Sequence, residues 1–291
     1  MLRGLYTAAA GMMTQQRLHD TVTQNIANIN TPGYKSVNEA ARSFPEVLVS
    51  LVGGDAPGNR QIGKLNTGVF AEETQPIFTQ GDLRETGKMS DFGLESSLSL
   101  VDPATGQPYP FDESGKYVKQ DGSVVYRPQA FFTVQDNDGN VRYTRDGNFH
   151  VNAAGELLSS TGFRVLGANG QPLVLNQPIK DLQTDGKGNF LYNGAPTNQQ
   201  LQITVVESPY QLTRNGNGVY EAADPQKAGI RNLTANDAVT VRQGSLEGSN
   251  VNTAQSMVDL MTAQRAYEAN QKVIQFYDKS MDKAVNEVGR V

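Results

Sequence analysis

A short acidic stretch in the middle of the chain is the first candidate for chemistry. Asp136-Asn137-Asp138-Gly139-Asn140 has the alternating oxygen side chains that begin a calcium-binding loop. Such a loop needs its glycine at the sixth position and a glutamate at the twelfth. Here the glycine comes too early and no glutamate closes the loop. Because Asp-Gly between two apolar runs is typical of a β-hairpin turn, we predict a turn here.

The other reactive groups are too scattered for a catalytic or metal site. The two histidines, His19 and His150, lie in different segments, and the absence of cysteine excludes disulfides, thiolate zinc sites and cysteine nucleophiles. Arg145-Asp146-Gly147 places opposite charges side by side, but Asp-Gly at a tight turn explains it. Asn215-Gly216-Asn217-Gly218 is too short for a phosphate loop and no helix follows it. We therefore predict no enzyme, no cofactor and no metal.

The composition limits the remaining classes. The 291 residues suit one or two domains, and 37% hydrophobic residues with 29 glycines favour many turns and polar surfaces. A net charge of −5 gives no electrostatic case for nucleic acid, and the absence of a long apolar run predicts no membrane insertion. Polar residues from Gln15 to Asp20 interrupt any apolar signal region, so export would need a route without a cleaved signal peptide.

The element that must position any functional surface is a long C-terminal helix. Its apolar or aromatic residues recur at every seventh position in one row, and a second row follows three residues later. This is the seam of a coiled coil, and Asn252 with Gln255 is typical of a capped helix start. The two rows are Leu260, Tyr267, Ile274, Met281, Val288 and Ala263, Asn270, Tyr277, Ala284, Val291.

A second long helix is predicted at residues 3–29. It has a similar seam, in which His19 is best explained as a polar seam residue rather than a metal ligand. Pro32-Gly33 ends it. Beyond this point residues 44–51 have helical spacing, and 53–59 form a glycine-rich loop.

From about Val69 the apolar pattern changes to a period of two, with Asp-Gly and Asn-Gly turns between short runs. We therefore predict an α+β fold with two long terminal helices forming a coiled-coil layer and a central, mainly-β domain of short antiparallel strands. The predicted domains are 1–68 with 245–291, a discontinuous helical assembly domain, and 69–244, with an irregular insertion at about 96–130. Within that insertion, residues 119–123 carry a weak hairpin signal.

Three motifs together resemble the bacterial flagellar basal-body rod and hook proteins, most closely the distal-rod type. They are the asparagine-rich helix end Asn25-Ile26-Ala27-Asn28-Ile29-Asn30-Thr31-Pro32-Gly33-Tyr34-Lys35, the central Tyr143-Thr144-Arg145-Asp146-Gly147-Asn148-Phe149, and Ser249-Asn250-Val251-Asn252 with Gln264-Arg265-Ala266-Tyr267-Glu268-Ala269-Asn270. The resemblance implies a subunit of the flagellar basal body, exported through the flagellar type III apparatus and assembled helically with neighbouring rod and hook proteins. The segment 96–128 departs from the family pattern.

The polar seams make a marginal isolated helix pair, so we expect assembly with copies of the same chain. The alternatives are a hook or hook-associated axial protein and a stalked extracellular adhesin or capping protein. An intramolecular helical hairpin that caps a monomer would also satisfy the pattern. The expected assembly residues are Leu5, Met12, Val22, Ile26, Asn28, Ile29, Tyr34, Leu260, Tyr267, Ile274, Tyr277 and Met281.

Overall fold

The computed structural model describes residues 2–51, 60–102, 105–112 and 114–288, and its contacts divide the chain into two units. The helical unit comprises Met1–Ala27, Val37–Gln75 and Asn252–Val291, and the β unit comprises Asn28–Ser36 and Pro76–Val251. The contacts thus assign 28–36 and 245–251, which the sequence pattern had grouped with the terminal helices, to the β unit. The predicted loop at 53–59 and the seam position Val291 lie outside the described residues.

Both predicted terminal helices are present. Helix α1 is Leu2–Ala27, and α2 is Thr253–Lys283, followed by a π-helical turn at Ala284–Val288. The predicted cap at the start of α2 is confirmed, because the Asn252 side chain accepts a hydrogen bond from the Gln255 backbone N–H at 3.1 Å. No helix within the described ranges is both long and apolar enough to cross a membrane.

The helical unit also contains short strands: β1 (Val37–Asn38), β2 (Ala41–Ser43), β3 (Val47–Leu51), β4 (Arg60–Leu65) and β5 (Val69–Ala71). Strand β6 (Gln75–Pro76) lies at the boundary of this unit. The helical spacing predicted at 44–51 is therefore wrong. Strand β3 pairs antiparallel with β4, and β2 pairs with β5. A short apolar run fits either period, so the backbone hydrogen bonds offered by a partner strand decide its conformation.

The β unit contains the remaining strands, and their pairing is antiparallel throughout the described registers. They are β7 (Leu83–Glu85), β8 (Phe92–Ser96), β9 (Lys116–Val118), β10 (Val124–Tyr126), β11 (Gln129–Gln135), β12 (Val141–Thr144), β13 (Phe149–Val151), β14 (Leu157–Ser159), β15 (Arg164–Val165), β16 (Leu182–Thr184), β17 (Asn189–Tyr192), β18 (Ala195–Gln200), β19 (Ile203–Val206), β20 (Leu212–Arg214), β21 (Val219–Ala222), β22 (Ile230–Asn232), β23 (Val239–Gln243) and β24 (Ser245–Glu247). Single 3₁₀ turns are present at Ile179–Asp181 and Pro209–Gln211.

Strand β11 is the centre of the largest sheet, whose order is β13-β14-β15-β11-β12-β21-β20, with β19 pairing both β11 and β22. Side chains on both faces of β11 are buried. Phe132 packs in one core with Phe92 and Phe149, while Phe131 packs in a second core with Phe78 and Tyr220. Since neighbouring side chains of a strand point to opposite faces, β11 lies between the two cores and contributes side chains to both.

The predicted hairpin at Asp138-Gly139 is confirmed by the pairing of β11 with β12. The Asp136 carboxylate accepts hydrogen bonds from the backbone N–H groups of Asp138 (3.0 Å) and Asn140 (2.8 Å), and Gly139 has a φ of +87°. The acidic stretch therefore stabilises a turn through its own backbone.

The predicted insertion at about 96–130 contains an ordered hairpin. Strands β9 and β10 pair around residues 119–123, as the turn signal indicated. The ring centroids of Tyr109 and Tyr117 are 5.2 Å apart, and those of Tyr126 and Tyr210 are 4.1 Å apart. The first ring contact lies within the segment, and the second joins the hairpin to Tyr210, which lies outside it.

Candidate assembly site

The two long helices contact each other through small residues of α1. A Cβ atom added at Gly4 would lie 2.0 Å from Tyr277 Oη, and one added at Gly11 would lie 3.1 Å from Asn270 Nδ2. Each pair of positions is seven residues apart, and the numbers rise along α1 while they fall along α2. The helices are therefore antiparallel over these turns, and the glycines allow the larger side chains of α2 to approach the α1 backbone.

The predicted site residues of α2 lie on its less exposed face. Leu260, Tyr267, Ile274, Tyr277 and Met281 are all half-buried, and Ala263 between them is fully buried. The seam pattern in the sequence thus coincides with the face that is covered within the helical unit.

The corresponding residues of α1 are covered to a similar extent, and strands also pack on this helix. Val22 is buried, and Leu5, Met12 and Ile26 are half-buried. The Asn25 side chain makes paired hydrogen bonds with the backbone of Val37, donating to its carbonyl at 2.8 Å and accepting from its N–H at 2.9 Å. These two hydrogen bonds attach the last turn of α1 to β1.

The outer faces of both helices carry exposed apolar side chains. Phe276 is 76% exposed, Tyr6 is 69% exposed and Met13 is 61% exposed. Met257 and Met261, one turn apart on α2, are each about half exposed. Exposed apolar side chains that recur along a helix pair are typical of an interaction surface.

The segment after α1 belongs to the β unit. The Asn28 side chain accepts a hydrogen bond from the Thr31 hydroxyl at 3.2 Å, and Ile29 is half-buried. The ring of Tyr34 is buried, and the Arg214 guanidinium lies 4.4 Å from its centroid. Tyr34 therefore fixes the position of this segment through a cation–π contact within the same chain.

A buried ion cluster, formed by Lys35, Arg145 and Glu247, lies beneath this segment. Lys35 Nζ is 2.7 Å from Glu247 Oε1, and Arg145 Nε is 2.9 Å from Glu247 Oε2, with all three side chains at 0% exposure. Lys35 also donates to the Thr79 carbonyl at 2.6 Å, and Arg145 donates to the Ala130 carbonyl at 2.7 Å. These bonds compensate the loss of hydration of the two cations.

The charges of the ion cluster determine its protonation. Burial raises the pKa of Glu247, but the neighbouring charges of Arg145 and Lys35 outweigh it, so the pKa of this carboxyl lies below its usual value. Burial lowers the pKa of Lys35 to about 8, despite the charge of Glu247. At neutral pH the cluster therefore contains two cations and one anion.

Backbone contacts around the ion cluster leave no room for larger residues. Gly33 has a φ of +68°, and a Cβ there would lie 2.4 Å from the Arg145 carbonyl carbon. The Asn250 amide donates to the Ile77 carbonyl at 2.8 Å and to the Thr79 hydroxyl at 2.9 Å, and it accepts from the Ser36 N–H at 2.6 Å. The segments at Ser36 and at Asn250, which lie at the two ends of the β unit in the sequence, are therefore in contact.

The comparisons with known proteins match three segments of the chain. A model described as flagella basal body rod protein matches residues 5–35, one described as flagellar hook protein FlgE/F/G D1 domain matches 127–204, and one described as flagellar basal body rod FlgEFG protein C-terminal matches 242–287. The flagellar hook-basal body complex protein FlhO of Bacillus subtilis is 34% identical over 100% of both chains. The chain belongs to the flagellar basal-body rod and hook family.

Two further relatives support the same family. The flagellar basal-body rod protein FlgG of Borreliella burgdorferi is 28% identical over 98% of both chains. The FlgG of Bacillus subtilis is 25% identical over 98% of this chain and 99% of its own. Each member of the ion cluster comes from a different matched segment: Lys35 from the first, Arg145 from the second and Glu247 from the third.

Sequence reasoning missed Glu247 and the role of Lys35 and Arg145. The adjacent charges of Arg145 and Asp146 were explained by a tight turn, whereas in the structure Arg145 is paired with Glu247. Lys35 and Arg145 lie within two of the three motifs, whereas Glu247 lies just before the third, and their separation along the chain concealed their contact.

The remaining candidates for chemistry do not form a shared site in this rod and hook family member. His19 lies 3.7 Å from the neighbouring Asp20, with both side chains exposed, and His150 is exposed on β13 of the β unit. Over the residues that the structure describes, no three acidic or histidine side chains are grouped so as to hold a metal ion.

Proposed function

We propose that the chain is a structural subunit of the flagellar basal-body rod, built into the cell envelope as part of the shaft between motor and hook. The observation that carries this proposal is the full-length similarity to a hook-basal body complex protein, together with the rod-family matches at 5–35 and 242–287. The subunit has a mechanical role, and we assign no catalysis to it.

The assembly contacts are proposed to lie on the terminal helices, which pack as a coiled-coil layer. Leu260, Ile274 and Met281 would fix α2 against α1, and the exposed Phe276 would meet a neighbouring copy. An apolar face that is half-covered in one chain becomes fully buried when neighbours repeat around a helical axis, and contacts between unlike faces extend into a tube.

The proposed partners are copies of this chain, the adjoining rod and hook proteins, and the flagellar export apparatus. An axial protein of the hook is the second candidate, because one matched segment is described by the hook protein's D1 domain. The exposed terminal helices also support the proposal that their full order comes only with polymerisation, since a helix pair with polar seams depends on tertiary packing for its stability.

The proposal is tested by charge substitutions in a motile strain that carries this gene. Ile274→Asp should prevent α1–α2 packing, and Phe276→Asp should leave that packing intact while blocking contact between copies. The adjacent exposed Gln275→Asp serves as a matched control, since it adds the same charge on another face. We expect the first two variants to abolish swarming and to be missing from purified basal bodies, with the control still present.

Normal motility with Ile274→Asp and Phe276→Asp would refute the assembly role. Electron microscopy of purified basal bodies would then separate the two candidates. Labelled subunit below the hook junction supports a rod protein, whereas label confined to the hook supports the hook alternative.

A further inference from the structure

The buried ion cluster contains one more cation than anion. Lys35 and Arg145 share the single carboxylate of Glu247, and all three side chains are at 0% exposure. A charge that is removed from water without a full counter-charge is strongly unfavourable. A reaction that turned the Lys35 ammonium into a neutral group would leave one cation opposite one anion.

The side-chain amide of Asn250 lies beside the Lys35 amine. Both groups donate to the Thr79 carbonyl oxygen, Lys35 Nζ at 2.6 Å and Asn250 Nδ2 at 3.2 Å. The two nitrogens therefore lie within 5.8 Å of each other, which is the sum of these two lengths. Attack on the amide carbon Cγ requires a separation of about 3–3.5 Å, so a short movement of the flexible lysine side chain is needed.

The groups around this pair match those that amide transfer needs. Glu247 Oε1 lies 2.7 Å from Lys35 Nζ, within reach of a general base. The Ser36 backbone N–H donates to Asn250 Oδ1 at 2.6 Å, where negative charge develops when Cγ is attacked. Burial lowers the pKa of Lys35 to about 8, which increases the fraction of uncharged, nucleophilic amine.

We propose that Lys35 and Asn250 form an intramolecular isopeptide bond, with Glu247 as the catalytic acid and base. Lys35 Nζ attacks Asn250 Cγ, so the Nζ–Cγ bond forms and the Cγ–Nδ2 bond breaks. Glu247 carries two protons in turn from Nζ to Nδ2, which leaves as ammonium. No other reactant takes part, and no group is oxidised or reduced. The excess positive charge leaves with the ammonium, and Glu247 remains paired with Arg145.

The bond would close a loop that contains nearly the whole β unit, because its two ends lie at residues 35 and 250. A covalent link across a long loop reduces the conformational freedom of the unfolded chain, as a disulfide does. The chain has no cysteine with which to form a disulfide. An isopeptide bond between these residues would therefore give the β unit a covalent link that its sequence otherwise lacks.

The test is mass spectrometry of the purified full-length chain during incubation at about pH 8. In the wild type we expect the loss of one ammonia per chain and, after proteolysis, a branched peptide that joins residues 35 and 250. Lys35→Arg keeps the cation and should abolish the branched peptide, and Glu247→Gln should slow its formation by about 100-fold or more. Lys187→Arg is the matched control, because Lys187 Nζ likewise donates to a backbone carbonyl, that of Asp237, at 2.8 Å.

The branched peptide is the decisive readout, because succinimide formation at Asn-Gly positions also releases ammonia. Its absence from the wild type, both after incubation and in purified basal bodies, would overturn the proposal. Ammonia loss that persists unchanged in Lys35→Arg would assign the reaction to another site. If Glu247→Gln fails to fold, Glu247→Asp keeps a carboxylate on a shorter side chain and should form the bond more slowly than the wild type. Equal rates in Glu247→Asp and the wild type would exclude Glu247 as the acid and base.

Discussion

Replacement of Glu247 by glutamine removes the anion from the buried ion cluster while keeping the volume of the side chain. Lys35 and Arg145 are at 0% side-chain exposure. Loss of the carboxylate leaves the Arg145 cation without its counter-charge and removes the charge and hydrogen bond that raise the pKa of Lys35 against the effect of burial. Breaking a buried ion pair in this way costs about 3–5 kcal/mol. Because a typical domain is stable by only about 5–15 kcal/mol, we expect Glu247→Gln to remove a large part of the stability of the β unit.

The assay is equilibrium urea unfolding of the purified full-length chain at pH 7, followed by circular dichroism and tyrosine fluorescence. The matched control is Glu95→Gln, which breaks an ion pair of equal length, 2.7 Å to Arg242, with side chains 56% and 43% exposed. Exposed pairs contribute less than about 1 kcal/mol. If the two variants lose the same free energy of unfolding within about 1 kcal/mol, burial does not determine the contribution of the ion cluster and our reasoning is wrong.

Repeating the urea unfolding at lower pH provides a second test of the role of Glu247. The folded-state pKa of Glu247 is below the ordinary value of 4.5, so the unfolded chain takes up its proton first as the pH falls. The stabilisation by Glu247 is therefore fully present above pH 4.5 and is lost as the pH falls through the lower, folded-state pKa. The difference in free energy of unfolding between wild type and Glu247→Gln should shrink below pH 4.5. A difference that stays constant down to pH 3 would contradict this assignment.

The other predictions concern the neighbourhood of the ion cluster and the insertion. Gly33→Ala should destabilise the chain by about 1–2 kcal/mol because of the positive φ, and the contact of the new Cβ with Arg145 should add to this loss. Gly216 has a φ of +73° and no neighbouring atoms, so Gly216→Ala should show the φ contribution alone in urea unfolding. Asn250→Asp should destabilise the chain by about 1–3 kcal/mol at pH 7, because its new oxygen would face the backbone carbonyls of Ile77 and Thr79. Unchanged unfolding would contradict the hydrogen-bond assignment. Deletion of residues 99–127 should impair motility more than the β circular-dichroism signal, and full motility would exclude a neighbour contact by the insertion.

Local signals predicted the elements of this fold well. The Asn252 cap and the Asp138-Gly139 turn depend on residues within a few positions of each other, and the structure confirms both. Helix α1 ends at Ala27, two residues earlier than predicted and before Pro32-Gly33. The helix prediction for Val47–Leu51 failed because its partner strand, Arg60–Leu65, follows a glycine-rich segment and has no alternating apolar pattern that would indicate a strand. Local periodicity describes a strand poorly when the partner decides its conformation.

The ion cluster could not be predicted from local patterns at all. Lys35 and Glu247 are separated by 212 positions, and Arg145 and Glu247 by 102. A charged residue in a turn-rich sequence is ordinarily solvated, so nothing in the pattern distinguished these three from their neighbours. The family resemblance did identify the motifs that contain Lys35 and Arg145, but it assigned no contact between them.

The two units of this chain differ in which of their side chains are satisfied within the chain. In the β unit the buried charges of Lys35, Arg145 and Glu247 are paired with one another within the same chain. In the helical unit apolar side chains such as Phe276 remain exposed, and their burial needs another molecule. We expect a neighbouring molecule that covers these side chains to stabilise the helical unit, by an amount set by its affinity and concentration.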